Sequence, residues 1–106
     1  MNIVCVAACT AGIAHTYIAR EKLIKGAKAL GHNIKVETQG TIGTENELLA
    51  GDISAADVVI LAVDVKIKGE ERFINKRIVR VKTEIVIKSP IQFLEKVEKS
   101  LVNLNQ

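Results

Sequence analysis

The chain has 106 residues, 48% hydrophobic and 25% charged, with a net charge of +3 and two cysteines. That is one domain, long enough to bury a core without disulfides or a structural metal. Aromatic residues at 3% with no Trp exclude a base-stacking nucleic-acid binder, while the small, scattered positive excess suits an acidic partner or a phosphate ligand. No signal peptide or apolar run of membrane-spanning length is legible. The expectation is therefore a cytoplasmic domain that keeps its thiols reduced and does not insert into a membrane.

Residues 2–8, NIVCVAA, are an apolar run and predict a first strand covered on both faces. Residues 13–30 predict a helix. Ala19, Leu23, Ala27 and Leu30 recur on one face, and Gly31 follows as the C-terminal cap. NIKVET (33–38) alternates apolar and polar as a second strand. QGTIGTENELLAGD reads as a polar loop with a short helix over 45–50. ADVVILAV (56–63) is the strongest strand, residues 78–81 form a fourth, and a short helix over 70–75 separates them.

The last helix has Ser89 as its cap, Pro90 in first position and Gln92 closing a capping box. Its apolar stripe is Ile91, Leu94, Val97, Leu101 and Leu104. This order predicts an α/β fold, with residues 1–106 as a single domain. Its sheet would be open, four-stranded and parallel (Rossmann-like), with right-handed crossovers and helices on both faces in three layers.

Open parallel sheets bind ligands at the carboxyl ends of their strands. Cys9 lies there, at the mouth of the turn Thr10-Ala11-Gly12-Ile13-Ala14-His15 that opens the first helix. Unpaired N–H groups and the helix dipole favour an anion at such a turn, and Gly12 lets the backbone curl around it. The same field favours a thiolate, the form in which cysteine is a nucleophile. On position alone, a reactive Cys9 and a merely buried Cys9 both remain open. Cys5 lies mid-strand and reads as packing. A Cys5–Cys9 disulfide is excluded by the intervening strand, which spans over ~12 Å. A zinc site from Cys5, Cys9 and His15 fails on the same distance. No metal and no cofactor is expected. His15 falls in the first helical turn, where it either positions a phosphate or stands at the surface; His32 reads as a surface residue.

ACTAGIAHTYIA (8–19) resembles the signature ACPTGIAHTFMA of fructose-family enzyme IIB domains, components of the bacterial phosphoenolpyruvate-dependent sugar phosphotransferase system. KVETQGTIGTENEL (35–48) is similar to that family's KVETQGSxGxxNxL. AADVVILAVDVKIKGEERFINKRIVRV (55–81) resembles its ADxVIxAxD…RFxGKxxxxV. The three stretches lie in register over residues 2–82.

The resemblance implies that Cys9 takes a phosphoryl group from a phosphohistidine on an enzyme IIA partner. Cys9 then passes it to fructose or a fructose-like sugar held by the membrane enzyme IIC. It implies that Thr10, Ala11, Gly12, Ile13, Ala14 and His15 cradle the phosphate. Glu37, Thr38, Gln39 and Gly40 would flank the site, with Asp64 at its border or simply exposed. Thr10 and Ala11 depart from the family's Pro and Thr/Ser, and Asn75 replaces a usual Gly; Asn next best tolerates a left-handed turn.

Two other readings stand against the carrier. A low-molecular-weight tyrosine phosphatase also places a cysteine and an anion loop after strand one. It needs an Arg where this chain has His15, and an Asp-Pro acid that is absent, since the one proline is Pro90 after Ser89. A regulatory module that binds anions without reacting is the other alternative.

Overall fold

The computed structural model describes residues 1–9, 13–40 and 43–104. Chain order is β1 (Asn2–Ala8), α1 (Ile13–Ala29), β2 (Asn33–Gly40), β3 (Gly43–Glu45), α2 (Ala50–Ala55), β4 (Val58–Val63), a 3₁₀ turn (Glu70–Phe73), β5 (Ile78–Val81), α3 (Thr83–Lys88) and α4 (Pro90–Leu104). The strands form one sheet in the order β3-β2-β1-β4-β5. β1 is central and pairs in parallel with β2 on one side and β4 on the other, and β5 runs parallel to β4. The chain leaves β1 in one direction for β2, then crosses back past it to β4. The reversal of strand order therefore falls at β1, where doubly wound sheets bind their ligands.

The alternation of β1 separates two cores. Ile3, Cys5 and Ala7 pack under Ala19, Leu23 and Ala27 of α1, Val86 of α3 and Phe93, Leu94 and Val97 of α4. Val4, Val6 and Ala8 face the opposite layer, with Leu48, Ile53 of α2, Ile67 and Phe73. Three layers with helices on both faces follow, as the strand–helix alternation requires. Of the stripe read on α4, Leu94 and Val97 are buried and Leu101 is half-buried, while Ile91 is exposed at the edge of the α1 contact. The side chain of Leu104 lies outside the described residues.

The sheet has five strands, not four, and is mixed rather than parallel. β3 pairs antiparallel with β2 through Thr38–Glu45, Gln39–Thr44 and Gly40–Gly43. Three residues among glycines are too few to show a two-residue period, so the segment reads as loop. The helix expected over 45–50 begins only at Ala50. Leu48 N–H is held by the Glu37 carboxylate at 2.9 Å, Leu49 is extended (ψ 158°), and Asp52 accepts the Leu49 N–H at 3.0 Å, so the helix starts beyond them. The expected helix over 70–75 is the 3₁₀ turn Glu70–Phe73, and α3 has no counterpart in the sequence reading. Left-handed backbone occurs at Gly31 (φ 79°), closing α1, and at Asn75 (φ 72°), a left-handed turn of the kind that Asn tolerates.

Gly26 sits where α1 crosses α4, and a Cβ built there would stand 3.1 Å from Leu94 Cδ1. Alanine is nearly accommodated, because its gain in helix propensity offsets a small shift of the leucine tip. Gly26→Leu should wedge the helices apart and cost about 1–3 kcal/mol, measurable as a lower urea midpoint with Gly26→Ala as reference.

Candidate functional site

Register alone brings three strand ends together. Ala8 pairs with Val63 across β1 and β4, and Ala62 pairs with Val81 across β4 and β5. The next residues, Cys9 after β1 and Asp64 after β4, therefore stand side by side, with Asp64 N–H donating to Ala8 O at 2.9 Å. Thr83, two residues beyond β5, opens α3 beside them. His15, in the first turn of α1, closes the group from above.

The contacts form a chain. Thr83 donates its backbone N–H to Asp64 Oδ1 at 3.1 Å and its hydroxyl to Asp64 Oδ2 at 2.5 Å. The latter length is that of a charge-assisted bond. A hydroxyl has one proton, and this one is committed to Asp64, so Thr83 Oγ1 offers only lone pairs to His15 Nδ1 at 3.4 Å. This arrangement assigns the hydrogen to Nδ1, shared between Thr83 Oγ1 and Cys9 Sγ. The nitrogen faces Cys9 Sγ at 3.3 Å, giving the sulfur an N–H donor fixed in tautomer from two steps away. Thr83 is fully buried, so this proton arrangement is held by packing as well.

His15 and Asp64, both expected at the site, are thus joined to Cys9. Thr10, Ala11 and Gly12, and the side chain of Ile13, lie outside the described residues; Ala14 is exposed. The flanking strand divides. Thr38 lies opposite Ala7, on the layer that Cys5 and Ala7 face, and is 3% exposed. Its hydroxyl has no hydrogen-bond partner among the described residues. Buried polar groups are rarely left so, and an unsatisfied one commonly marks a bound ion or water.

Glu37 and Gln39 point to the other layer. Glu37, fully buried, takes Arg72 Nη1 and Nη2 at 2.8 and 3.0 Å, Gln39 Nε2 at 2.9 Å and Leu48 N–H at 2.9 Å. Burial by itself would raise its carboxyl, but the bonds from Arg72, Gln39 and Leu48 outweigh that and hold it below the ordinary range. The pair ties β2 to the 3₁₀ turn as a structural pin, apart from the sulfur. Gly40 ends β2 and is exposed. Cys5 is wholly buried, and burial pushes its thiol up to about 12, which leaves it inert packing.

Thr83 is the residue that sequence reasoning missed. Its signal was available: it stands two residues past the last strand, at the sheet edge already occupied by Cys9 and Asp64. Beside Asp64 a shallow groove of about 740 Å³ carries Lys66, Arg80 and Lys82, with Arg80 paired to Glu70.

A doubly wound sheet with a cysteine at the mouth of the central strand, facing a histidine, is what the resemblance to IIB domains leads one to expect. A family model described as "PTS system, Lactose/Cellobiose specific IIB subunit" matches residues 4–96, and the chain belongs to this IIB family of the sugar phosphotransferase system.

Among its relatives, the PTS system fructose-like EIIB component 2 of Escherichia coli K12 is 52% identical over 100 residues, covering 94% of both chains. The fructose-like PTS system EIIBC component of the same organism is 44% identical over 91 residues, 84% of this chain but 19% of that longer protein. A IIB-type domain is there joined to a IIC component. In structure, the solution structure of an enzyme IIB subunit of the E. coli K12 PTS superposes with a TM-score of 0.92 at 30% identity, over 99% of this chain and 97% of that one. The crystal structure of a predicted fructose-specific IIB from E. coli gives 0.87 at 39% identity, over 93% and 88%. Among the described residues no helix is long and apolar enough to cross a membrane.

Proposed function

We propose that this IIB domain carries a phosphoryl group on Cys9, from a phosphohistidine of an enzyme IIA to a fructose-like sugar bound by a membrane enzyme IIC, at the cytoplasmic face. In the first step the N–P bond of the donor imidazole breaks and an S–P bond forms as the Cys9 thiolate attacks. In the second, a sugar hydroxyl oxygen takes the phosphorus, its proton is lost, and the thiolate is regenerated. The sugar class rests on the fructose-like relatives, and the IIC partner on the fused EIIBC relative. The observation that carries the chemistry is the 3.3 Å approach of His15 Nδ1 to Cys9 Sγ. That N–H stabilises the thiolate before transfer and a phosphoryl oxygen after it. The groove beside Asp64 sets Lys66, Arg80 and Lys82 against the carboxylates of Asp64 and Glu70, with Arg80 paired to Glu70, so Lys66 and Lys82 are the charges left to meet a phosphorylated partner.

The proposal predicts one added phosphate on Cys9, seen by mass spectrometry after incubation with phosphoenolpyruvate, the general phosphocarrier proteins and a matching IIA. Cys9→Ser should abolish the adduct. A wild-type protein that stays unmodified under these conditions sinks the reading and leaves an anion-binding adaptor. Rapid hydrolysis of a chromogenic phosphate ester would instead favour the phosphatase. That reading is disfavoured because His15, holding one N–H toward the sulfur, cannot grip a phosphoryl group bidentately as an Arg does.

A further inference from the structure

A thiol, an imidazole and a carboxylate meet at the end of the sheet. Cys9 Sγ, a ring nitrogen of His15 and an oxygen of Asp64 all lie within 4.8 Å of one another, with Cys9 Sγ and His15 Nδ1 already 3.3 Å apart. We infer that Cys9, His15 and Asp64 form a three-ligand site for a soft divalent cation, zinc foremost, which when filled closes the sulfur to every other reaction.

The distances suit the ion. Zinc binds sulfur at about 2.3 Å and nitrogen or oxygen at about 2.0–2.2 Å, so the ligand atoms of a tetrahedral site stand roughly 3.3–3.8 Å apart. The sulfur–nitrogen pair meets that spacing as it stands. Asp64 is exposed, and closing the remaining gap asks its carboxylate to shift against its two bonds from Thr83.

The donor set selects the metal. A thiolate with an imidazole favours zinc over magnesium or calcium, which take oxygen. Three protein ligands leave the fourth position to water, the arrangement of an open rather than a structural zinc site. An outer layer is also present, since Thr83 holds Asp64 through both its N–H and its hydroxyl. The set dismissed from sequence included Cys5, which stays buried in the core; the fold puts Asp64 in its place.

Protons balance simply. On binding, the Cys9 thiol releases its proton to water. The hydrogen on His15 Nδ1 is exchanged through solvent for one on Nε2, and the 3.4 Å contact to Thr83 Oγ1 is given up. Zinc needs the thiolate charge, and a sulfur bonded to phosphorus has lost it, so zinc and the phosphoryl group compete for Cys9.

The test needs neither donor nor sugar, so it stands apart from the carrier reading. Reduced full-length protein is titrated with Zn²⁺ against a chromophoric chelator, and separately with Co²⁺ alone. One Zn²⁺ per chain should bind, and the Co²⁺ form should show a sulfur-to-cobalt charge-transfer band. Affinity should fall at least about tenfold in His15→Gln and in Asp64→Asn, and further in Cys9→Ser, which also loses the band. His32→Gln, at the far end of α1, should bind as the wild type does. A wild-type Co²⁺ spectrum without the charge-transfer band, or Zn²⁺ binding that survives Cys9→Ser and is lost in His32→Gln, overturns the inference. The band is read on unaltered protein, so it decides the matter even if a variant misfolds.

Discussion

Arg72→Met should remove about 3–5 kcal/mol of stability, the cost of leaving one member of a buried ion pair uncompensated. Domains of this size hold only about 5–15 kcal/mol in all, so the loss is a large share of the total. The asymmetry of the pair sets the expectation. The Glu37 side chain is 1% exposed, whereas that of Arg72 is 25% exposed. Removing the arginine strands a carboxylate that water cannot reach. Glu37→Gln strands only a guanidinium that can turn to solvent and keeps an acceptor for Leu48 N–H, so it should cost closer to ~1–2 kcal/mol.

The same pair predicts an acid response. The Glu37 carboxyl is held below its ordinary 4.5 in the folded chain. Its contribution is therefore complete above that value and is lost as the pH falls through the lower folded one. Urea midpoints measured from pH 6 downward should drop in the wild type and drop less steeply in Glu37→Gln. Equal slopes in the two proteins would show that the pair does not govern acid stability.

The second large effect concerns rate. On the proposed function, His15→Ala should slow phosphoryl transfer by about a hundredfold, the loss expected when one fixed donor to developing charge is removed, with Cys9 still the residue labelled. Thr83→Val should slow it less. Valine keeps the volume but frees both the Asp64 oxygen and the imidazole, so the ring can turn and present an unprotonated Nδ1 to the sulfur. Thr83→Ser should restore the rate, because the hydroxyl rather than the methyl does the positioning. A merely structural Thr83 would give slow transfer in both variants with unchanged pH dependence. The proposed role gives an altered pH–rate profile in Thr83→Val alone.

Much of this was legible in the chain. The apolar runs of β1 and β4 and the stripe of α1 have periods long enough to read, and the strand–helix alternation then dictates the doubly wound sheet. What was not legible is short or depends on contacts distant in sequence. β3 has three residues and α3 six, below the length at which a period emerges. Glu37 sat within a recognisable motif, yet its direction was set by alternation in β2 and by Arg72, 35 residues away. The motif placed it near the sulfur, and the pleat turned it to the other layer. Asp64 illustrates the converse, since counting parallel register from Cys9 would have paired the two before any side chain was seen.

The central position of β1 has a consequence for traffic. Hydrogen-bonded along both edges, that strand cannot swing, so the atom at its end stays at one address. Donor and acceptor must each come to it, and two large bodies cannot occupy one doorstep at once. On the proposed function, visits must alternate. The reaction should then follow ping-pong kinetics, with excess unphosphorylated donor competing against delivery by blocking the way in.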